Sequence, residues 1–394
     1  MALRSRPYSS SHMQIPFLPA TPRFAMTATF TAFGTAVGAL AGSIPTVSRA
    51  AGIDNFELGI AITLSTFCTV TMLSAGGTIS RHASNRMVLL WSLPLFAAAL
   101  LATLVSTSPW VFYTVFLWLG LMFGLTDVFM NAEGSAIEVE MGRPIFSLLH
   151  ACVSIGMPVM ALAASYLSTA HGTWATGLVT AIFFVIAWLL VHANIPARSL
   201  SGGRSARFSA IGNKTPLVLL GIATGLIVAA ETSAILWSAK LLDAQAPELA
   251  AIAGAGAAFF GLCNAAVRVR GDMLRERFGD LPLMIFSLFV AIAGFAALGL
   301  SQSFAASVAS FAVVGVGIAV LVPCAFAIAA NHVPGNRAAG ISFIALMSAV
   351  PRIGAPWIFG WVVTVTTIGA AFGLFAGVLA VALVLIVALR NLKS

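Results

Sequence analysis

Long apolar runs alternate with short polar gaps along most of the chain. Twelve runs approach or exceed the roughly 20 residues that an α-helix needs to cross about 30 Å of hydrocarbon. They are too long and too uniformly apolar for barrel strands, and unpaired backbone groups are costly in lipid. The pattern predicts an all-α membrane protein with twelve transmembrane helices, at about residues 24–48, 57–77, 87–106, 109–133, 144–168, 172–193, 216–239, 249–268, 281–300, 304–330, 339–363 and 367–390.

The runs form an internal repeat. The first and seventh begin near 24 and 216, and the second and eighth near 57 and 249, an offset of 192 residues in both cases. Such a period indicates duplicated units. We therefore expect two pseudo-symmetric six-helix bundles in parallel orientation, with the boundaries 1–23 (disordered cytoplasmic tail), 24–193 (N-terminal bundle), 194–215 (basic cytoplasmic linker), 216–390 (C-terminal bundle) and 391–394 (cytoplasmic tail).

The basic residues sort to one side of the predicted membrane. Only Arg49 and Lys240 fall on the other side, and Arg352 lies inside the eleventh run. Because cytoplasmic loops carry the excess of Lys and Arg, both termini are expected in the cytoplasm, with the protein in the inner membrane. The residues on the basic side are Arg4, Arg6, Arg23, Arg81, Arg86, Arg143, Arg198, Arg204, Arg207, Lys214, Arg268, Arg270, Arg275, Arg277, Arg337, Arg390 and Lys393.

Composition supports this picture and excludes several functions. The 394 residues are 60% hydrophobic and 8% charged, against about 25% charged in soluble domains. The net charge of +8 is spread over short gaps, which argues against nucleic-acid binding. No nucleotide-binding loop, HExxH, GxSxG or metal-type Cys/His spacing occurs. We expect no enzyme, cofactor or metal, but a monomer in the lipid bilayer whose partners are a small-molecule substrate and coupling protons.

Two loops carry a family resemblance. The segments from Gly76 to Arg86 and from Gly271 to Gly279 follow the second and eighth runs. They resemble the GxxxDRxGRR motif of the major facilitator superfamily, although Ser80 stands at the motif's Asp. The resemblance implies charge pairs that hold the two halves together on the cytoplasmic side. The candidate residues of this gate are Gly76, Arg81, Arg86, Asp272, Arg277 and Gly279.

A second stretch resembles the fucose permease-like branch of that superfamily. It runs from Gly124 to Asn131 and is followed by Glu138, His150 and Ser154. This resemblance implies proton-coupled movement of a small polar solute such as a sugar. The GPxxGG signature of drug/proton antiporters is absent from the fifth run, which lowers the case for multidrug efflux.

Polar residues at membrane depth are the candidate site. A charge there costs about 2.5–3.5 kcal/mol on insertion scales, so each one needs a partner, water or a function. In the fourth run, Asp127 lies one turn from Asn131 and is either a proton carrier or a structural carboxylate. His150 in the fifth run is a hydrogen-bond partner of Asp127, a proton relay, or a bonded core histidine.

The second half contributes three more candidates. Glu231 in the seventh run has no cation nearby in its own helix and is expected to bind a proton or substrate. Arg352 follows Pro351, which is expected to bend the eleventh helix. Arg352 is then a counter-charge for Glu231 or Asp127, an anion anchor, or part of a static ion pair. Trp237 is either a sugar-stacking platform or a member of the interfacial aromatic belt.

These residues lead to a hypothesis with two rivals. The hypothesis is a proton-coupled secondary transporter in which Asp127 or Glu231 carries the proton and Asn131, His150 and Arg352 shape the site. Export of amphipathic compounds is the first rival, favoured by a cavity lined with Phe, Met and Leu. A receptor or assembly factor that does not transport is the second, favoured by cavity charges that neutralise each other away from water.

Overall fold

The computed structural model describes residues 21–196, 213–333 and 336–391. Most of the expected N-terminal tail, the linker and the last residues of the C-terminal tail lie outside these ranges, as do Arg4, Arg6, Arg198, Arg204, Arg207 and Lys393. The described residues form the helices α1 (Thr21–Ala51), α2 (Asn55–Ile79), α3 (Asn85–Leu104), α4 (Pro109–Met141), α5 (Phe146–Ala170), α6 (Thr173–Asn194), α7 (Thr215–Gln245), α8 (Ala255–Arg268), α9 (Gly271–Phe278), α10 (Asp280–Leu300), α11 (Phe304–Ile318), α12 (Leu321–His332), α13 (Arg337–Val365) and α14 (Ile368–Asn391).

Twelve helical segments of the described chain are long and apolar enough to cross a membrane. Helices α1 to α7 supply the first seven. A 3₁₀ turn at Pro247–Ile252 joins α8 in the eighth, and α11 joins α12 in the tenth, while α10, α13 and α14 supply the ninth, eleventh and twelfth. The short helix α9 carries Asp272, Arg275 and Arg277 and lies between spans. The prediction of an all-α protein with twelve spans is confirmed.

Close backbone packing holds α1 against α5. Gly34, Gly38 and Gly42 recur every four residues, which places them on one face of α1. Each meets the α5 backbone, at Val153, Met157 and Ala161 respectively, and a Cβ on Gly34 would lie 2.6 Å from the Val153 carbonyl oxygen. Small residues allow this approach between membrane helices. The N-terminal half is therefore built around an α1–α5 contact that larger side chains would prevent.

The two halves are joined on one side of the bundle. We call the side where α1 begins the terminal side, and the side where α1 ends the far side. Near the far side, Arg49 at the end of α1 forms an ion pair with Asp243 near the end of α7. The backbone N–H of Gly254 donates a 2.7 Å hydrogen bond to Ser165 Oγ on α5.

A close helix contact reinforces this junction. Gly59 on α2 packs directly against Gly360 on α13, and a Cβ on Gly59 would lie 2.6 Å from the Pro356 carbonyl oxygen. This contact lies on the same side of the bundle as the Arg49–Asp243 pair, because α2 begins and α13 ends there. The far side is therefore a junction of backbone packing and polar contacts between the halves.

Proline has different effects on two of the spans. The helix α13 continues through Pro351 and Pro356 without interruption, and the expected bend at Pro351 stays a prediction. The tenth span, expected to be continuous over 304–330, is instead divided after Ile318. Pro323 explains the division, because a proline has no N–H to offer the carbonyl four residues earlier and clashes with it. That carbonyl belongs to Ala319.

Candidate functional site

A cavity of about 330 Å³ lies between the two halves. Helices α1 to α5 contribute from the N-terminal half, and α7, α8 and α13 from the C-terminal half. Its lining residues are Ala36, Val37, Leu40, Ile62, Ser65, Thr66, Thr69, Phe96, Leu100, Phe116, Leu119, Phe123, Val153, Ser154, Met157, Glu231, Thr232, Ile235, Leu236, Phe260, Gly261, Asn264, Arg268 and Arg352. Both halves therefore share one chamber.

Aromatic and aliphatic side chains make up most of the chamber wall. Four phenylalanines, Phe96, Phe116, Phe123 and Phe260, line it together with leucines, isoleucines, valines and Met157. The ring of Phe96 packs edge-on against that of Phe123, with centroids 5.9 Å apart. Packed rings of this kind hold a defined shape. The wall favours an apolar solute body.

Two of the five hydroxyl groups of the lining are engaged by the backbone. Thr66 Oγ1 donates to the Ile62 carbonyl at 2.7 Å. Thr69 Oγ1 lies 3.0 Å from the carbonyl oxygens of both Ser65 and Gly120. Because a hydroxyl has one proton to donate, Thr66 and Thr69 have little left to offer a sugar. The other lining hydroxyls belong to Ser65, Ser154 and Thr232, and no such bond is found for them among the described residues.

Arg268 connects Glu231 at the cavity to the backbone of the tenth span. Its Nη2 donates to Glu231 Oε1 at 3.2 Å, and its Nε donates to the Ala319 carbonyl at 3.1 Å. The Ala319 carbonyl is available because Pro323 cannot bond it within the helix. The break between α11 and α12 therefore orients the arginine that pairs with Glu231.

Arg352 lines the same cavity and is partly buried. It lies close enough to Asp127 and Glu231 for electrostatic interaction with both. Across the described residues, however, no ion pair or hydrogen bond from its guanidinium is found. Direct contact with Glu231 is made by Arg268, while Arg352 acts on Glu231 and Asp127 only through space.

Asp127 lies beside the cavity rather than in its lining. Its Oδ1 accepts a 2.9 Å hydrogen bond from Asn131 Nδ2, which also donates to the Asp127 backbone carbonyl at 2.8 Å. Through space, its carboxylate interacts with Arg352 of the other half. The sequence-predicted neighbours Asp127 and Asn131 are therefore in contact, and the Asp127 carboxylate is near enough to Arg352 of the other half to interact with it electrostatically.

His150 is exposed and is not bonded to Asp127 among the described residues. Its ring packs against Phe146 and Phe30, with centroids 4.8 Å and 5.3 Å away. It is near enough to Arg268 for electrostatic interaction. This position differs from the expected hydrogen bond to Asp127, because aromatic contacts orient the ring.

Trp237 lies in the core of the C-terminal half and not at the cavity. Its side chain is 1% exposed, and its ring packs against Phe359 with centroids 4.9 Å apart. No open face is left for a sugar ring, and the residue is too deeply enclosed for an interfacial belt. The packing of α7 against α13 accounts for this tryptophan.

The gate-motif residues make contacts within their own halves. Arg81 donates to Thr78 Oγ1 at 3.2 Å, and Arg86 donates to the His192 carbonyl at 2.9 Å. In the second loop, Asp272 pairs with Arg275 at 3.1 Å, while Arg277 lies over the Phe278 ring. Gly76 packs against Val128, and Gly279 has a φ of +79° that suits glycine. Their gating role stays a prediction.

Besides the serines and threonines of the lining, the site that the sequence predicts lacks Asn264 and Arg268. The sequence places Arg268 at the end of the eighth run and counts it with the basic residues of the cytoplasmic side. It does end α8, but its guanidinium reaches Glu231. Asn264 is not among the predicted candidates. The spacing of Gly261, Asn264 and Arg268 places them on one face of a helix, and this polar face was the available signal.

Comparison with known sequences finds relatives, although no family model matches. The chain is similar to the membrane protein MosC of Rhizobium meliloti, with 27% identity over 86% of this chain and 83% of MosC. An uncharacterised transporter of Sinorhizobium fredii, y4wD, is 27% identical over 92% of this chain and 97% of its own. An uncharacterised MFS-type transporter of Yersinia pestis is 24% identical over 87% and 89%.

Solved structures share the architecture at low identity. A point mutant of the nucleoside transporter NupG superposes with a TM-score of 0.79 and 16% identity, over 94% of this chain and 98% of NupG. A bacterial homologue of the human lysosomal transporter Spinster, inward-facing and occupied, gives a TM-score of 0.75 and 10% identity over 93% and 96%. The chain is a multi-pass membrane protein with twelve spans and the major facilitator superfamily transporter fold.

Proposed function

We propose that this protein is a secondary active transporter that moves a small organic solute by alternating access. The observation that carries the proposal is the cavity that both halves line, with Glu231, Arg268 and Arg352 facing it. Charges at this depth are costly unless they serve a site. Two halves that share a central chamber and meet closely on one side are suited to rocking about it.

The contacts between the two halves lie on one side of the bundle, and their position supports an inward-open state. The Arg49–Asp243 ion pair and the hydrogen bond from Gly254 to Ser165 join the halves toward the far side. The basic loops lie on the terminal side, which the positive-inside rule assigns to the cytoplasm. In this proposal the protein lies in the inner membrane with both termini cytoplasmic and the cavity open to the cytoplasm.

Protons are the proposed coupling ion. Two carboxylates, Asp127 and Glu231, and two guanidiniums, Arg268 and Arg352, form one electrostatic cluster. A proton on either carboxylate weakens its hold on an arginine, which then becomes available to a solute. Binding and protonation are linked in this way without a cofactor. Separate variants of the two carboxylates distinguish which of them carries the proton.

Export of an amphipathic compound is a second candidate. The four phenylalanines and the aliphatic residues of the wall favour it over uptake of a sugar. The hydroxyls of Thr66 and Thr69 already bond to the backbone, which further weakens the sugar expectation. Membership of the fucose permease-like branch stays a prediction that rests on sequence resemblance.

A receptor that does not transport is less consistent with the cavity. Such a protein would keep its charges mutually neutralised and away from water. Here the side chains of Glu231 and Arg268 are 18% and 41% exposed. Arg352 lies at the cavity with no direct ion pair to a described residue. Charges that are open to the chamber favour transport.

Counterflow in proteoliposomes tests the proposal. Purified protein is reconstituted, loaded with one unlabelled solute at a time, and given the same labelled solute outside. The panel comprises sugars, nucleosides, carboxylates and amphipathic amines. We expect exchange of at least one class above that of empty liposomes. Absence of exchange for the whole panel, by folded and correctly inserted protein, would contradict transport.

A further inference from the structure

We propose that Arg352, Asn264 and Arg268 form a carboxylate-binding subsite, so that the solute is an organic monoanion with an apolar body. This inference rests on the proposed function for its transport meaning, but the binding site can be tested without transport. It departs from the polar, sugar-like solute that the sequence suggested.

Arg352 supplies the unpaired positive charge. A guanidinium carries five N–H donors and no acceptor, and Arg352 lines the cavity without a hydrogen bond to any described residue. Water or an anion must therefore satisfy it in the chamber. Guanidinium binds carboxylate through two parallel hydrogen bonds, a geometry that other anion-binding side chains do not match.

Asn264 provides an independent observation. The residue is 4% exposed and lines the cavity, and its Nδ2 has no hydrogen-bond partner among the described residues. Buried polar groups are nearly always bonded in folded proteins. An amide N–H₂ group that faces a cavity without a partner is therefore suited to an acceptor on a ligand, such as a carboxylate oxygen.

Arg268 completes the positive side of the site. It lies four residues after Asn264, on the same face of α8. Its Nη2 and Nε bond to Glu231 and Ala319, which leaves Nη1 for another acceptor. Among the charged side chains that line the cavity are two guanidiniums and one carboxylate. Asp127 beside the cavity brings the cluster to neutrality when it is ionised. Once a proton neutralises Asp127, one positive charge is left for a monoanion to balance.

Other solute classes fit less well. A cation would need a free carboxylate, but Glu231 is bonded to Arg268 and Asp127 lies outside the lining. A sugar would need hydrogen-bonding groups around its whole ring, whereas most of the wall is aliphatic or aromatic. The cavity of about 330 Å³ is at the small end of ligand pockets. One or two rings, or a short alkyl chain, would fill it.

Matched ligands test the charge preference on the wild-type protein. Purified full-length protein in nanodiscs is titrated with benzoate, 3-phenylpropionate, indole-3-acetate and octanoate, and with the amide and the primary amine of the same skeletons. Calorimetry and thermal unfolding report binding. We expect at least one carboxylate to bind about tenfold or more tightly than its amide and amine. A ligand without the carboxylate group leaves hydrogen-bond donors of the site unpaired.

Variants locate the binding to the proposed residues. Arg352→Ala should weaken carboxylate binding about tenfold or more, with Arg352→Lys intermediate because lysine lacks the planar fork. Asn264→Leu should weaken it about three- to tenfold. Arg143→Ala, which removes an exposed arginine between α4 and α5, should leave it unchanged. Melting temperatures show whether each variant is folded.

Two results would overturn the subsite. One is that no carboxylate of the panel binds more tightly than its amide or amine, a comparison that needs no variant. The other is wild-type carboxylate affinity in folded Arg352→Ala and Arg352→Lys. Counterflow separates the two proposals. Exchange of an amine or a sugar without carboxylate preference removes this inference and keeps transport, whereas carboxylate binding without exchange supports the subsite and contradicts transport.

Discussion

Arg268 donates a 3.2 Å hydrogen bond to Glu231, and this contact leaves Arg352 without a direct partner among the described residues. The two arginines therefore have different tasks. Arg268 is held by Glu231 and by the Ala319 carbonyl, while Arg352 is available to the cavity. The charge balance of the chamber depends on which carboxylate carries a proton.

Glu231→Gln should abolish proton-driven uptake and preserve exchange. Glutamine keeps the shape and can still accept from Arg268, but it cannot bind or release a proton. The measurement is uptake of an exchanged carboxylate with and without a pH gradient, next to its counterflow rate. Glu231→Asp is the matched control that keeps the charge. Wild-type uptake under a pH gradient would remove Glu231 from proton coupling.

Asp127→Asn should remove the pH dependence of carboxylate binding. Asparagine preserves the contact with Asn131 but no longer attracts Arg352, the charged group that faces Asp127 from α13. If Asp127 is the proton site, wild-type carboxylate binding should strengthen as the pH falls, because a proton on Asp127 releases Arg352 to the ligand. The Asp127→Asn variant should bind the carboxylate tightly and with the same affinity at high and at low pH. If the pH dependence of binding were unchanged, a residue other than Asp127 would be the proton site.

Asp243→Asn should loosen the far side. The substitution removes the ion pair between Arg49 and Asp243, whose side chains are 60% and 16% exposed. Pairs with such an exposed partner contribute only about 0.2–1 kcal/mol, so we expect a shift of up to about fivefold in the conformational equilibrium.

Distances between two spin labels across the far side, measured by double electron–electron resonance, report this shift. Spin labels at Thr107→Cys and Gln302→Cys, two exposed loop positions of opposite halves, report the separation after the native cysteines are replaced. The longer distance should gain population in Asp243→Asn. High salt should have the same effect on wild type, because it screens exposed charges. Identical distance distributions would show that the pair does not control closure.

Pro323→Ala should raise stability and lower carboxylate affinity. Pro323 lies in the first turn of α12, and an alanine there supplies an N–H that can bond the Ala319 carbonyl and continue α11 into α12. Arg268 Nε then loses its acceptor, and the guanidinium is less well oriented. Thermal unfolding and the binding titration measure the two effects. An unchanged affinity in a stabilised variant would show that the helix break does not position Arg268.

The sequence predicted the spans well because the requirement for about 20 apolar residues is local. It predicted the contact of Asp127 with Asn131 for the same reason, since a helix fixes residues four apart. The partner of Glu231 depended on the break caused by Pro323 in another span, and the position of Trp237 depended on the packing of α7 on α13. Such relationships need the tertiary structure.

Access to Ser154 from the two sides of the membrane tests alternating access most directly. Ser154 lines the cavity and has no role in the charge cluster. A Ser154→Cys variant, with the native cysteines replaced, is exposed to a membrane-impermeant thiol reagent on one side at a time. Alternating access should give labelling from the terminal side at rest and additional labelling from the far side during exchange. Labelling from neither side, or from one side under every condition, would contradict it.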